Sequence, residues 1–170
     1  MTALKTLLWS IVVAGSATAL VPYLLLSSRF DSFRIHLSYF RFFGLIPILI
    51  GVMLYVWCAW CFTFIGKGTP APFDPPKKLV VKGPYRYVRN PIYVFVALTL
   101  IGEAIFFETT ILVLYAALVV MIFHLWVVVY EEPTLKRKFG ESYANYCEQV
   151  SRWFPRFHRQ FSGSHQETDS

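Results

Sequence analysis

Eleven residues, Gly83-Pro84-Tyr85-Arg86-Tyr87-Val88-Arg89-Asn90-Pro91-Ile92-Tyr93, place three phenolic hydroxyls and two guanidiniums directly before an apolar run. A second polar cluster, Glu131-Glu132-Pro133, follows the next apolar run, which ends at Tyr130. Asn90 followed by Pro91 reads as a helix start, with an Asn cap and a proline in the first turn, where its missing N–H does no harm. The free amides and positive dipole end of that helix then face whatever sits beside Arg89 and Asn90. Brought together, the two clusters offer cations, helix-start amides, hydroxyls and two carboxylates. That set suits a zwitterionic, hydroxyl-rich cofactor. An aminoacyl carboxylate would pair with Arg86 or Arg89, ribose hydroxyls would bond to a glutamate, and an adenine would stack on aromatic rings.

The elements that must position these groups are apolar. The chain has 170 residues, 56% hydrophobic and 15% charged, far less charge than the roughly one quarter of a soluble domain. Leu7 to Leu26, Phe42 to Ile65 and Thr109 to Tyr130 carry no charge. Each has about the 20 residues a helix needs to cross a bilayer. Pro91 to Phe107 is shorter and holds Glu103 near its far end; it crosses if that carboxyl lies at the headgroups or faces other helices. The expected fold class is all-α, a multi-pass transmembrane bundle of about four spans with a cytoplasmic C-terminal amphipathic helix. One domain, 1–161, is expected, with a disordered tail at 162–170. The tight connection at Glu108-Thr109 makes the third and fourth spans an antiparallel hairpin, which returns Glu131 and Glu132 to the membrane face of Arg89 and Tyr93.

With four spans, thirteen of the sixteen basic residues fall on one side, and Arg29, Arg34 and Arg41 on the other. The positive-inside rule then puts both termini and the 66–90 loop in the cytoplasm, as in a bacterial inner membrane. The net charge of +6 flanks the spans and fits anionic headgroups, with no sign of a nucleic-acid groove. Lys5, an apolar run and Ala17-Thr18-Ala19 resemble a secretory signal, but the run continues to Leu26, which favours a retained helix. The prolines of the 66–90 loop make it an extended connector, with Leu79-Val80-Val81 lying along the surface. Cys58 and Cys61 read as small apolar packing residues inside a span, and no metal site is expected.

Beyond Pro133, Leu135, Phe139, Tyr143, Tyr146 and Val150 form one apolar stripe at helical spacing, which Gly140 can break into two helices. Such a segment lies on the headgroups or covers a site at the hairpin mouth. Pro133 disfavours helical backbone at Glu132, so the two carboxylates should point differently. Glu132, the one beyond the span, ranks first of the two. Each residue has a plainer reading as well. Arg86 and Arg89 can anchor a helix to headgroups, the tyrosines can form an interfacial belt, the glutamates can pair with Lys136 or Arg137, and His124 can be an interhelical hydrogen bonder.

The run from Gly83 to Tyr93, Glu131-Glu132, Phe139-Gly140-Glu141-Ser142-Tyr143, Tyr146, Val150, Arg152 and Pro155 resembles isoprenylcysteine carboxyl methyltransferases. It is similar also to bacterial phospholipid methyltransferases. The resemblance covers roughly residues 40–157 and implies methyl transfer from S-adenosyl-L-methionine to an acceptor in a lipid-facing tunnel. That acceptor would be an isoprenylcysteine-like carboxylate, a phospholipid amine or a small thiol. The family's Arg-His-Pro-x-Tyr motif falls on Arg89, Asn90, Pro91 and Tyr93, with Asn90 where histidine is usual. An amide cannot titrate, which puts any proton-shuttling role there in doubt. Arg89 and Glu132 are the candidate catalytic pair, and Tyr85, Arg86, Arg89, Asn90, Pro91, Tyr93, Glu131 and Glu132 the candidate cofactor contacts; of these the resemblance carries over Arg89, Asn90, Pro91, Tyr93 and the two glutamates. Tyr143, Tyr146 and Arg152 read first as packing or headgroup contacts, and otherwise as lining the entrance for a lipophilic or lipidated substrate. Carbon-14-type sterol reductases, which use NADPH, are similar in the C-terminal region but lack the Glu-Glu-Pro step and are longer. A non-catalytic membrane subunit is the third alternative.

Overall fold

The computed structural model describes residues 10–28, 36–64 and 79–155, and the regular elements among these are all helices. Helix α1 is Val12–Ser27. Helix α2, Leu45–Phe64, follows a 3-10 segment at Ser38–Gly44. Helices α3 and α4 are Pro91–Phe107 and Thr110–Trp126. A π-helical turn at Val127–Glu131 carries α4 into α5, Glu132–Phe139, and α6, Glu141–Gln149, follows. Two helical stretches are long and apolar enough to cross a bilayer, Ser38–Cys61 and Thr110–Phe139. The stretches Val12–Ser27 and Pro91–Phe107, which the sequence counts as two further spans, are shorter. Chain chemistry sets the ends of α3: Pro91 opens it, and Glu108 closes it at φ 57, a left-handed conformation that stops helix propagation.

Small residues let α2 and α3 approach closely. A Cβ on Gly44 would lie 2.5 Å from the Gly102 carbonyl oxygen, one on Gly102 2.6 Å from that of Gly44, and one on Gly51 would overlap the Thr99 hydroxyl. Backbone contact of this kind is how helices associate when lipid gives them no hydrophobic drive. The Tyr115 hydroxyl donates to the Ala17 carbonyl at 2.9 Å, tying α4 to α1. The α3–α4 hairpin closes at Glu108-Thr109, where the Glu108 carboxylate accepts the Leu37 amide at 2.9 Å.

Two expectations change. The segment 79–81 is not a surface strip: Val80 is buried with Cys58, Cys61 and Tyr85, while Leu79 and Val81 pack on Tyr143, Tyr146 and Val150. Extended residues alternate between faces, and here both faces meet apolar side chains. Glu132 is helical, at φ −61 and ψ −45, despite the following proline. The wide π turn, whose Glu132 amide reaches back to the Val127 carbonyl, makes room for a ring that would otherwise clash with the preceding turn. Helices α5 and α6 break at Gly140, which sits at φ 54, and their apolar stripe packs onto residues 79 and 81. The basic residues Lys67, Lys77 and Lys78, the Ala-Pro-rich connector and the expected tail at 162–170 lie outside the described residues.

Candidate functional site

The hairpin brings the two polar clusters together. The Tyr93 hydroxyl, one turn into α3, donates to Glu131 Oε2 at 2.7 Å. Arg89 Nη1 lies 3.2 Å from Glu132 Oε1, with side chains 14% and 17% exposed. Arg152, just beyond α6, grips Glu132 with two parallel bonds, Nε to Oε1 at 2.7 Å and Nη2 to Oε2 at 2.8 Å. The consecutive carboxylates do diverge, one toward the tyrosine and the other toward two arginines, because neighbours on a helix point about 100° apart. The Arg152 guanidinium is held even more firmly protonated by the Glu132 hydrogen bonds.

The loop before α3 is clamped by the chain after α6. The Arg89 amide donates to the Ser151 carbonyl at 2.8 Å, within a parallel bridge between Val88 and Ser151. Asn90 is buried and occupies the cap position, but its side chain caps nothing. Its Nδ2 donates instead to the Arg152 carbonyl at 3.4 Å. The Tyr146 hydroxyl donates to the Tyr85 carbonyl at 2.7 Å. Tyr85 and Tyr146 are both buried, and burial pushes their hydroxyls well above the ordinary phenol range. Both stay neutral hydrogen-bonding groups at any physiological pH.

A cavity of about 420 Å³ opens beside these groups, within the range of roughly 300–1,000 Å³ that encloses small ligands. Its polar wall is Arg89, Asn90, Tyr85, Tyr93 and Glu131. The remainder is apolar or aromatic, with Val13, Ala14 and Ala17 from α1, Tyr55 from α2, and Val96, Val119, Ile122, Phe123 and Trp126 from the hairpin. The Tyr93 and Phe123 rings pack 4.8 Å apart along it. Arg89 Nε is buried and has no hydrogen-bond partner among the described residues.

Of the residues singled out from sequence, Tyr85, Arg89, Asn90, Pro91, Tyr93 and Glu131 line this cavity. Arg86 is exposed and does not. Glu132 and Arg152 stand behind Arg89 rather than on the wall. Tyr143 and Tyr146 take the packing role of their two readings, buried in the cluster of α6 and away from the lining. The sequence ranks Glu132 above Glu131, yet the cavity receives Glu131. Cys147, on the cytoplasmic side in the sequence reading and given no role at the site, meets Arg89, whose Nη1 donates to its Sγ at 2.7 Å. The helical spacing from Tyr143 to Cys147 would have placed the thiol beside the same stripe. The α1 wall was equally invisible, because its apolar residues carry no motif. His124 lies beside the Trp153 ring, at 6.0 Å between centroids.

A family model described as phospholipid methyltransferase matches residues 39–142, more than half of the chain. This chain belongs to the phospholipid methyltransferase family. The match takes in both polar clusters and the hairpin between them, while α1 and Arg152 lie outside it. As a member of the phospholipid methyltransferase family, the protein is a membrane methyltransferase. No curated protein gives a significant match.

Proposed function

We propose that the protein transfers a methyl group from S-adenosyl-L-methionine to a lipophilic, membrane-borne acceptor. The observation that carries this reading is the convergence of Arg89, Asn90 and Glu131 on one wall of an otherwise apolar cavity. The residues fit the cofactor. Arg89 keeps a buried Nε without a partner, suited to a carboxylate. Glu131 carries a carboxylate, held by Tyr93, suited to ribose hydroxyls. Tyr93, Phe123 and Trp126 offer aromatic faces for an adenine.

When bound, the cofactor supplies a methyl group on an electrophilic sulfonium, so little acid–base chemistry is left to the protein. Arg89 holds the aminoacyl end, with its guanidinium fixed by Glu132 and Cys147. Glu131 orients the hydroxylated ring, and Tyr93 fixes that carboxylate by donating to it. Asn90, spent on the Arg152 carbonyl, holds the loop in place and moves no proton. Pro91 starts α3 where the loop meets the cavity. Tyr85 closes its floor as a neutral group. The apolar walls from α1, α3 and α4 exclude water and receive the hydrocarbon part of the acceptor, which enters from the bilayer. Alignment and dehydration are thus the protein's main contributions. The four apolar helices span the membrane with the Arg89 end on the cytoplasmic side, the side richest in basic residues.

Calorimetry on the detergent-purified protein with S-adenosylhomocysteine and, separately, NADPH tests the reading. Micromolar binding of the first and none of the second is expected. Binding of NADPH alone would replace methyl transfer with a reductase. Incubation with labelled methyl donor and lipid extract then identifies the acceptor class from the labelled product.

A further inference from the structure

Arg152 lies outside the family match and off the cavity wall, yet it meets the site in two ways. Its guanidinium forms the two-pronged bond to Glu132, and Glu132 Oε1 is the oxygen that also pairs with Arg89. Its backbone carbonyl accepts Asn90 Nδ2, and the neighbouring Ser151 carbonyl accepts the Arg89 amide. Side chain and backbone of one short segment therefore brace two consecutive residues of the cavity wall.

We propose that Arg152 is a positioning residue of the methyltransferase: through Glu132 it sets the Arg89 guanidinium against the cavity. A carboxylate shared by two arginines is oriented by the one whose geometry is planar and bidentate, and Arg152 has that geometry. Without Arg152, Glu132 is free to rotate toward Arg89 and draw its guanidinium off the wall. Lysine cannot make the paired bonds, so Arg152→Lys restores charge without orientation. The role rests on the cofactor reading above only in what Arg89 is positioned for, not in the coupling between the two arginines.

Two readouts test the role, one of them independent of any ligand. Because Arg89 Nη1 touches Cys147 Sγ, the maleimide labelling rate of Cys147, followed by peptide mass spectrometry, reports where Arg89 sits. Arg152→Ala should speed that labelling several-fold, Arg152→Lys should come close to the same rate, and Arg152→Ala should add nothing in an Arg89→Ala background. S-adenosylhomocysteine affinity should fall about tenfold in Arg152→Ala, the scale of one charge-assisted bond, and again show no further loss in the double variant. An unspecific structural role would make the two substitutions additive. Additive effects, full rescue by lysine, or unchanged labelling would overturn the proposal. If the unaltered protein binds no S-adenosylhomocysteine, the cofactor reading falls, and the labelling series still decides the positioning role.

Discussion

The two ends of the α3–α4 hairpin carry the same residue types and put them to different uses. At the Glu108 end, the carboxylate is taken by the Leu37 amide, and Arg41 lies over the Phe42 and Phe106 rings at 5.1 and 5.8 Å. A hollow of about 290 Å³ there is lined by Ser38, Tyr39, Arg41, Phe42 and Glu108. At the other end, Arg89 and Glu131 face a cavity walled by four helices, with Glu132 and Arg152 braced behind them. At the Glu108 end the carboxylate is taken by a backbone amide and the guanidinium by two aromatic rings. The same residue types become a candidate ligand site at the other end, where they line the larger cavity and leave the buried Arg89 Nε unspent.

Substitutions at matched positions separate the two ends. The largest effect is expected at the cavity: Arg89→Ala should weaken S-adenosylhomocysteine binding about 100-fold, the loss of a charge-assisted carboxylate contact, with Arg41→Ala as the near-silent counterpart in the same calorimetry. Next comes Glu131→Gln, which keeps the shape but turns a charged acceptor into a neutral one; affinity should drop about tenfold. If Glu132→Gln costs more than Glu131→Gln, the order proposed for the two carboxylates is reversed. Gly51→Val should leave the polar groups intact and force α2 off α3. Overpacking of that kind costs roughly 1–3 kcal/mol, read as a lower melting temperature in detergent. The smallest effect belongs to the far end. Glu108→Ala leaves the Leu37 amide without its partner, at about 1 kcal/mol, and methyl transfer should stay at its original rate.

Much of the site could be read from residue order. Asn90-Pro91 marked the start of α3, the tight Glu108-Thr109 connection forced a hairpin, and the hairpin returned the glutamates to Arg89. These inferences succeeded because helix rise and apolar length are local quantities. The burial of Val80, the helical backbone at Glu132 and the bond from Tyr146 to the loop before α3 were not legible. Each depends on what a residue meets across the fold. Val80 finds Cys58 and Cys61, and the Tyr146 hydroxyl finds the Tyr85 carbonyl sixty-one residues away.

The amino-acid order alone determined an apolar helical chain with two polar clusters at one end of a hairpin, because hydrophobic run length and a proline at a helix start act within a few residues. Which carboxylate faces the cavity was decided only in three dimensions. The π turn at Val127–Glu131 sets the rotation of the helix beyond it, and Arg89 and Arg152 together take Glu132. Adjacent glutamates are chemically alike, and only the packing around them makes them different.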